Sequence, residues 1–296
     1  MRGTGGRRPR CGGLGPEHLA WRHRWSSSRS QVSGVPPRSP RDRYLTVYGR
    51  MPVLEALGAS ERQVARVFVV DGARGDAVDR ILAAAAERSV PVERATVERV
   101  AALARNGRHH QGVAADVEAP NLAPLATFLE RRSHGRAYRT SVLVLDAVHN
   151  PANVGMVLRS ATAAGLEGVV VPRRGTAELG PLVIKASAGV AFNAPVVRCE
   201  TAAGALEELV AARFEVVGLD AAARGAEDLF LAGLPERAAY VLGNETSGLS
   251  PAVGPMVGRW LRVPLARGVE SLNIAAAATL VAFEVARRRS GPAGAA

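Results

Sequence analysis

Three polar segments in the C-terminal half of this sequence contain side chains that could hold a ligand by hydrogen bonds. They span residues 146–155, 243–250 and 268–273, and Arg159 follows the first of them. Their side chains are mostly amides and hydroxyls, with few charges, which suits hydrogen bonding to a polar ligand. Each segment follows an apolar run typical of a buried strand. Because ligands of parallel α/β sheets bind beyond the carboxyl ends of the strands, we predict that the three segments form one site.

Each polar segment also has an explanation that requires no ligand. Asn153 could cap the N-terminus of a helix, and residues 244–248 could form only a turn. Ser271 could cap the last predicted helix, residues 272–288, which is nearly all apolar and must therefore be buried around most of its circumference. That helix ends in three arginines, which suit a helix C-terminus. The occurrence of three such segments after three predicted strands favours a functional site.

Strands and helices alternate along the C-terminal half of the chain. The apolar runs predict buried strands at residues 141–146, 168–172, 214–220, 239–243 and 259–264. Between and after them, amphipathic or apolar patterns predict helices at about 154–164, 179–187, 201–212 and 272–288. This alternation predicts an α/β domain with a mostly parallel sheet in three layers, which we assign to residues 141–290.

A smaller α/β unit precedes this domain, at residues 46–118. Its pattern predicts a helix that begins near Pro52, further helices at 76–89 and 96–103, and strands at 65–70, 90–92 and 112–117. Residues 119–140 contain Pro124 and a basic run at 131–136, with few apolar residues after Leu129, so we predict an interdomain linker there.

The first 45 residues mix Gly, Arg, Ser and Pro without an apolar periodicity, so we predict a disordered tail, and a second short one at 291–296. The net charge of the chain is +11, and residues 1–50 hold eleven arginines against Glu17 and Asp42. Basicity thus belongs mostly to the tail. The tail could be solvated or touch RNA, or reflect an overlong gene start; a transit peptide is disfavoured because Pro and Gly would break its amphipathic helix.

Several classes of protein are excluded by simple features. No apolar run is long enough to predict a membrane span. Cys11 and Cys199 lie far apart, and His109 and His110 lack a third ligand, so we predict no metal site. The few cysteines indicate a reducing compartment, and we expect a cytoplasmic protein. No G-x-G-x-x-G follows the first strand of either unit, which argues against a nucleotide-dependent oxidoreductase.

The three segments resemble the motifs of a known family. NPANVGMVLRSA (150–161), VLGNETSGLS (241–250) and VPLARGVESLNIAAA (263–277) are similar to the three motifs of the SpoU/TrmH family of RNA ribose 2′-O-methyltransferases, in the SPOUT superfamily. YGRMPVLEAL (48–57) and HHQGV (109–113) resemble the L30e-like substrate-binding domain of 23S rRNA guanosine methyltransferases. The resemblance implies a C-terminal trefoil-knot domain, S-adenosylmethionine as methyl donor, and a homodimer with its sites at the interface.

The resemblance also implies roles for individual residues. Three would contact the donor: Gly243, Val263 and Leu272. Five fall on the functional polar positions of the family: Asn153, Arg159, Glu245, Ser271 and Asn273. Because a guanidinium stays protonated, we expect Arg159 to orient the ribose hydroxyl and phosphate. Glu245 would position Arg159 or accept the proton itself, and Asn153 and Asn273 would hold the ribose and the donor by neutral hydrogen bonds.

One departure concerns the first motif, where the family often has Asp-Pro-His/Arg-Asn and this chain has Asn150-Pro151-Ala152-Asn153. The predicted function is methylation of a ribose in structured RNA, specifically a guanosine of 23S rRNA. Three alternatives stay open: a tRNA guanosine, a resistance-type rRNA adenosine, and a non-catalytic RNA-binding module for ribosome assembly. The intact polar residues of the motifs argue against the last.

Overall fold

The computed structural model describes residues 44–104, 109–133, 139–220 and 223–290. The predicted tails, 1–45 and 291–296, lie outside these ranges except for Tyr44 and Leu45, which begin the first strand. None of the described helices is long and apolar enough to cross a membrane.

The N-terminal unit is a four-stranded sheet with helices packed against it. Its elements are β1 (Tyr44–Tyr48), α1 (Arg50–Gly58), β2 (Val64–Val70), α2 (Asp76–Glu87), β3 (Val92–Ala95), α3 (Val97–Ala104) and β4 (Val113–Glu118). The strand order is β1-β4-β2-β3, in which only β2 and β3 run parallel. Three helices and three strands were predicted here; the sequence pattern missed β1, and β3 begins at Val92, where the predicted strand ends.

The remaining elements form an eight-stranded sheet in which every pairing is parallel. They are β5 (Ala123–Pro124), α4 (Leu125–Arg131), β6 (Thr140–Leu145), α5 (Pro151–Ala163), β7 (Gly168–Pro172), α6 (Pro181–Ala186), β8 (Val196–Cys199), α7 (Ala202–Ala211), β9 (Glu215–Leu219), β10 (Glu227–Asp228), β11 (Arg237–Leu242), β12 (Arg259–Arg262) and α8 (Ile274–Arg289). The strand order is β10-β12-β9-β11-β6-β7-β8-β5. All five predicted strands and four predicted helices are present. The sequence pattern missed β5, β8 and β10, which have two, four and two residues.

Helices cover both faces of the large sheet. Along β6, Leu143 and Leu145 join a core formed with α5, α6 and α8, whereas Val142 and Val144 join a second core with α4 and α7. This alternation follows from the two-residue period of a strand, because neighbouring side chains point to opposite faces. The prediction of three layers around a mostly parallel sheet is confirmed, while the trefoil knot stays a prediction.

The segment predicted as an interdomain linker, residues 119–140, contains a strand and a helix among its described residues. It contains β5, which pairs with β8 at the edge of the large sheet, and α4. Leu125 and Phe128 of α4 are buried in one of the two cores of the sheet. These two apolar side chains explain the difference, because burying them stabilises a helix in a stretch whose proline and charges suggested a loop.

The last helix begins two residues later than predicted and has a different cap. α8 starts at Ile274, and the side chain of its N-cap Asn273 accepts a hydrogen bond from the amide of Ala275 at 2.9 Å. Ser271 is therefore not the cap, so the explanation of Ser271 that required no ligand does not hold. One face of α8 is buried against α5 and the sheet, but Phe283 on another face is 49% exposed.

Candidate functional site

The three predicted segments meet at the carboxyl edge of the large sheet. Residues 146–150 follow β6, residues 243–250 follow β11, and residues 263–273 follow β12. Because β11 lies between β6 and β9, and β12 lies beside β9, the ends of these strands are close together. The second and third segments enclose a cavity of about 290 Å³. The expectation that the segments form one site is consistent with this arrangement.

The cavity is lined mainly by apolar side chains and backbone. Its apolar lining includes Leu219, Leu242, Leu249, Trp260, Leu261, Val263, Leu265, Leu272, Ile274 and Ala277. Three carboxylate residues also line it: Asp220, Glu245 and Glu270. The three residues predicted to contact a donor, Gly243, Val263 and Leu272, all lie in this lining, as do Glu245 and Ser271.

A glycine is required where the second segment begins. A Cβ atom on Gly243 would lie 2.5 Å from the backbone carbon of Gly248, because the chain folds back on itself there. Asn244 and Gly248 exchange two backbone hydrogen bonds that close this turn, at 2.8 and 3.0 Å. Gly248 has a φ of +68°, a conformation that glycine adopts without strain. The segment is thus a turn, as the ligand-free explanation proposed, and it also forms one wall of the cavity.

Asn244 joins this turn to the first segment. Its side-chain oxygen accepts hydrogen bonds from the amides of Thr246 and Ser247, at 2.9 and 3.1 Å. Its side-chain nitrogen donates to the carbonyl oxygen of Ala147, 3.0 Å away. One amide side chain therefore shapes the turn and holds it beside the loop that follows β6.

Asp146 makes a second connection between the same two segments. It is buried, and its carboxylate accepts hydrogen bonds from the backbone amide of Ser250 at 2.6 Å and from the hydroxyl of Ser250 at 3.1 Å. A buried carboxylate needs such partners to offset its loss of hydration. Asp146 and Asn244 together hold the end of β6 against the segment that follows β11.

Helix α5 starts within the first segment, at Pro151, and its cap is not Asn153. The side chain of Asn150 accepts from the amide of Ala152 at 2.9 Å, and Pro151 occupies the first helical position, where it needs no amide partner. Asn153 lies inside the helix and is buried. A polar side chain in this position requires partners on a neighbouring element, so the capping explanation for Asn153 does not hold.

Those partners are two of the other predicted site residues. The side-chain nitrogen Nδ2 of Asn153 donates to Oε1 of Glu245. The side-chain oxygen Oδ1 of Asn153 accepts from Nδ2 of Asn273 at 3.1 Å. Because the oxygen of Asn273 caps α8, its orientation is set by the helix. A chain of hydrogen bonds therefore runs from the first turn of α8 through α5 to the segment after β11. It joins Asn153, Glu245 and Asn273 beside the cavity.

The other two predicted polar residues are not part of this cluster. Arg159 is exposed on α5, and its guanidinium makes no hydrogen bond or ion pair with the described residues. Glu245 therefore does not position Arg159 within a single chain, and it binds Asn153 instead. Ser271 is exposed at the cavity and likewise has no hydrogen-bond partner within the described ranges.

Sequence reasoning missed several residues of the cavity. Asp220 directly follows the last residue of β9, so the rule that located the other segments could have identified it. Trp260 could not have been found that way, because it packs where Gly218 of the neighbouring strand leaves space. A Cβ atom on Gly218 would lie 2.5 Å from the indole ring.

The described residues contain no group of three or more His, Cys, Asp or Glu side chains arranged to hold a metal ion. Burial raises the pKa of the Cys199 thiol to about 12, so this thiol is protonated at neutral pH. A protonated thiol is a poor nucleophile.

Comparisons with known proteins match both parts of the chain. Residues 140–283 match the SpoU rRNA methylase family. Residues 46–123 match the family described as RNA 2′-O ribose methyltransferase substrate binding. These matches contain all of the predicted site residues and most of the smaller N-terminal unit.

Bacterial relatives match over most of their length. Two relatives are named as TrmH family tRNA/rRNA methyltransferases, one of Staphylococcus aureus and one of Staphylococcus haemolyticus. Each is 31% identical to this chain. The matches cover 82% and 83% of this chain, respectively, and 96% of each relative. The SpoU methyltransferase AviRb of Streptomyces viridochromogenes, solved with AdoMet, has a TM-score of 0.57 at 24% identity, covering 85% of this chain and 92% of its own. An AdoMet-bound rRNA methyltransferase of Sinorhizobium meliloti has a TM-score of 0.55 at 22% identity, covering 84% of this chain and 89% of its own.

At these low identities the two solved structures show a shared fold only. The family matches and the bacterial relatives go further, because they cover the motifs and nearly the whole length of the relatives. The resemblance recognised in the three motifs is confirmed: the chain belongs to the SpoU/TrmH family of RNA methyltransferases.

Proposed function

We propose that this chain transfers a methyl group from S-adenosylmethionine to a ribose 2′-hydroxyl of structured RNA, and that the nucleotide is a guanosine of 23S rRNA. The observation that supports this most directly is the cavity at the carboxyl edge of the sheet, beside the hydrogen-bonded cluster of Asn153, Glu245 and Asn273. Family membership gives the reaction class, and two proteins of the same fold were solved with this donor.

The cavity suits the donor chemically. Its apolar walls, among them Leu242 and Leu261, can cover an adenine ring, and the exposed backbone at Gly243 offers hydrogen-bonding groups without a side chain in the way. The carboxylates of Asp220, Glu245 and Glu270 favour a ligand with positive charge. When bound, S-adenosylmethionine would supply a methyl group that its sulfonium already activates. We propose Gly243, Val263 and Leu272 as donor contacts.

The polar cluster would act on the ribose. Asn153 and Asn273 hold each other and Glu245 in fixed positions, so little reorganisation is needed when RNA binds. Glu245 is exposed and is the carboxylate of the cluster, which makes it our candidate for accepting the hydroxyl proton. Ser271 would donate or accept a hydrogen bond at the rim of the cavity.

Arg159 would reach the site of a second copy of the chain. It is exposed on α5 without a partner among the described residues, and Met156 on the same helix and Phe283 on α8 are also exposed, at 39% and 49%. Because α5 and α8 pack side by side, a partner that covered both helices would contact these apolar side chains and this cation. A homodimer formed there would bury the apolar side chains and bring Arg159 to the ribose and phosphate of the partner's substrate.

A mixing experiment tests the shared site. Arg159→Ala and Glu245→Ala homodimers should each be inactive. If the two residues act across the interface, mixing equal amounts after brief unfolding and refolding should restore about a quarter of the activity, because about half of the dimers are mixed and each has one intact site. No recovery from correctly refolded mixed dimers would place both residues in one subunit. Light scattering of the wild-type protein checks the dimer itself.

The N-terminal unit would bind RNA. Arg50 donates from its backbone amide to the side chain of Gln111 at 3.0 Å and from Nε to the carbonyl oxygen of Gln111 at 3.2 Å, which joins the two motifs that resemble the substrate-binding domain. We propose residues 46–118 as this domain, 141–290 as the methyltransferase domain, and a role in rRNA processing in the cytoplasm.

The deciding experiment maps 2′-O-methylated nucleotides in rRNA and tRNA from cells with and without the gene. Loss of one 23S guanosine methylation supports the proposal, whereas loss at a tRNA guanosine or an rRNA adenosine would redirect it. Calorimetry with S-adenosylhomocysteine and NAD provides a test without RNA. Binding of neither ligand, together with unchanged methylation, would favour a non-catalytic RNA-binding module.

A further inference from the structure

Charged side chains follow several strands at the carboxyl edge of the large sheet. On the side of β9, β11 and β12, the carboxylates of Asp220, Glu245 and Glu270 line the cavity. On the other side of β6, the loop of residues 173–180 follows β7 and begins with two arginines. Each side also holds a charge of the other sign, Arg267 in the third segment and Glu178 in the β7 loop. Attraction of a polyanion to this edge therefore depends on the cations that no carboxylate engages.

Only one of these two arginines is engaged by a side chain in the described part of the chain. The guanidinium of Arg173 lies 3.4 Å from the carboxylate of Glu200, which partly neutralises it. Arg174 is exposed, and its guanidinium makes no hydrogen bond or ion pair with the described residues. Its backbone is fixed, because its amide donates to the carbonyl oxygen of Glu200 at 3.1 Å. The backbone of Arg174 is thus held in place, while its guanidinium is available to bind an anion.

The loop that carries Arg174 is joined to the first segment of the site. The amide of Ala177 donates to the carbonyl oxygen of Val148 at 2.9 Å, and the two loops leave neighbouring strands of the sheet. The first segment has no permanent cation of its own: Asn150 and Ala152 are exposed there and neutral. Arg174 therefore offers a permanent positive charge on a loop that is bonded to the first segment.

We propose that Arg174 binds a backbone phosphate of the RNA strand beside the methylated nucleotide, so that the strand enters the site from the β7 side. This inference rests on the proposed function for the identity of the ligand. Phosphate contacts of this kind fix the register of a nucleic acid without reading its sequence. Arg174 is therefore a positioning residue that sets affinity for RNA, and it leaves the donor cavity unchanged.

The test measures RNA affinity as a function of salt for matched variants of the full chain. The probe is protein-free 23S rRNA transcribed in vitro, and binding is followed without donor. Arg174→Gln should weaken binding about threefold to tenfold and reduce the slope of log K against log salt by about 0.7 to 1, the loss of one phosphate contact. Arg174→Lys, which keeps the charge, should retain the wild-type slope.

Arg213→Gln is the matched control. Arg213 is exposed in the turn that leads into β9, at the opposite edge of the sheet, and has no side-chain partner in the described ranges. Its replacement should change neither affinity nor slope. Equal losses in the Arg174→Gln and Arg213→Gln variants, or an unchanged slope in Arg174→Gln, would overturn the proposal.

The outcomes separate this inference from the proposed function. If the wild-type chain methylates RNA but Arg174→Gln keeps its KM for RNA and its salt slope, only the phosphate contact is refuted. If the chain binds RNA with a slope that depends on Arg174 but transfers no methyl group, the proposed reaction fails and the contact stands. For an active enzyme, Arg174→Gln should raise the KM for RNA while kcat and the affinity for S-adenosylhomocysteine stay at wild-type values.

Discussion

The carboxylate of Asp146 holds Ser250 by two hydrogen bonds, one to its amide at 2.6 Å and one to its hydroxyl at 3.1 Å. These residues are 104 positions apart in the sequence and connect the end of β6 to the segment that closes the cavity. Asp146→Ala would leave the amide of Ser250 without its partner, at a cost of roughly 1–3 kcal/mol. We expect a lower melting temperature and weaker binding of S-adenosylhomocysteine, measured by calorimetry.

Ser250→Ala tests how much of this stability comes from the hydroxyl bond alone. It removes only the hydroxyl bond and keeps the bond from the amide, so we expect a smaller loss of stability, about 0.5–1.5 kcal/mol. If Asp146→Ala were no more harmful than Ser250→Ala, the connection between the two segments would not depend on the carboxylate.

The two roles of Asn273 can be separated by substitution. Asn273→Asp keeps an oxygen that caps α8, but a carboxylate cannot donate to Asn153. We expect a smaller loss of thermal stability than for Asn273→Ala, because the cap remains, and a fall in turnover of about tenfold to a hundredfold, because the cluster loses its alignment. Asn273→Ala should show both defects, including a cap loss of about 0.5–2 kcal/mol. Full activity in the Asn273→Asp variant would show that the bond to Asn153 is not needed.

Gly243 should tolerate no side chain. In Gly243→Ala the new methyl group would lie 2.5 Å from the backbone of Gly248, so the turn must shift. Such overpacking costs about 1–3 kcal/mol. If the donor binds only to the turn as it is closed between Asn244 and Gly248, this cost corresponds to roughly fivefold to 150-fold weaker donor binding. Gly254→Ala is the control, since a methyl group there would have no neighbour within 4 Å. Equal donor affinity in both variants would exclude the turn from the donor pocket.

Glu284 should make stability depend on pH in acid. Hydrogen bonds from Arg287, and then from Arg288, hold the pKa of this buried carboxyl at about 2, below its ordinary value of 4.5. Because the pKa is lowered in the folded state, the stabilisation is fully present above 4.5 and is lost as pH falls towards 2.

We therefore expect Glu284→Gln to lower the free energy of unfolding by roughly 1.5–3 kcal/mol near neutral pH, with a difference that shrinks as the solution is acidified. Denaturant titrations at several pH values measure this difference. A constant difference for Glu284→Gln across the acid range would contradict the lowered pKa.

Local patterns in the sequence determined much of this protein. The apolar runs located β6, β7, β9, β11 and β12, because a strand buried on both faces must be apolar at nearly every position. The polar segments after three of these strands pointed to the edge where a ligand would bind. Motif spacing then indicated the family, which the matches to relatives confirmed.

The tertiary structure alone decided which side chains meet. Asn153 and Asn273 are separated by 120 positions, and no local pattern could reveal that they bond each other while Asn273 replaces Ser271 as the helix cap. The burial of Phe128 in a segment predicted as a linker likewise depends on the packing of distant elements. Periodicity reports which face of an element is apolar, whereas long-range contacts depend on the order of strands in the sheet, and that order brought the three segments together.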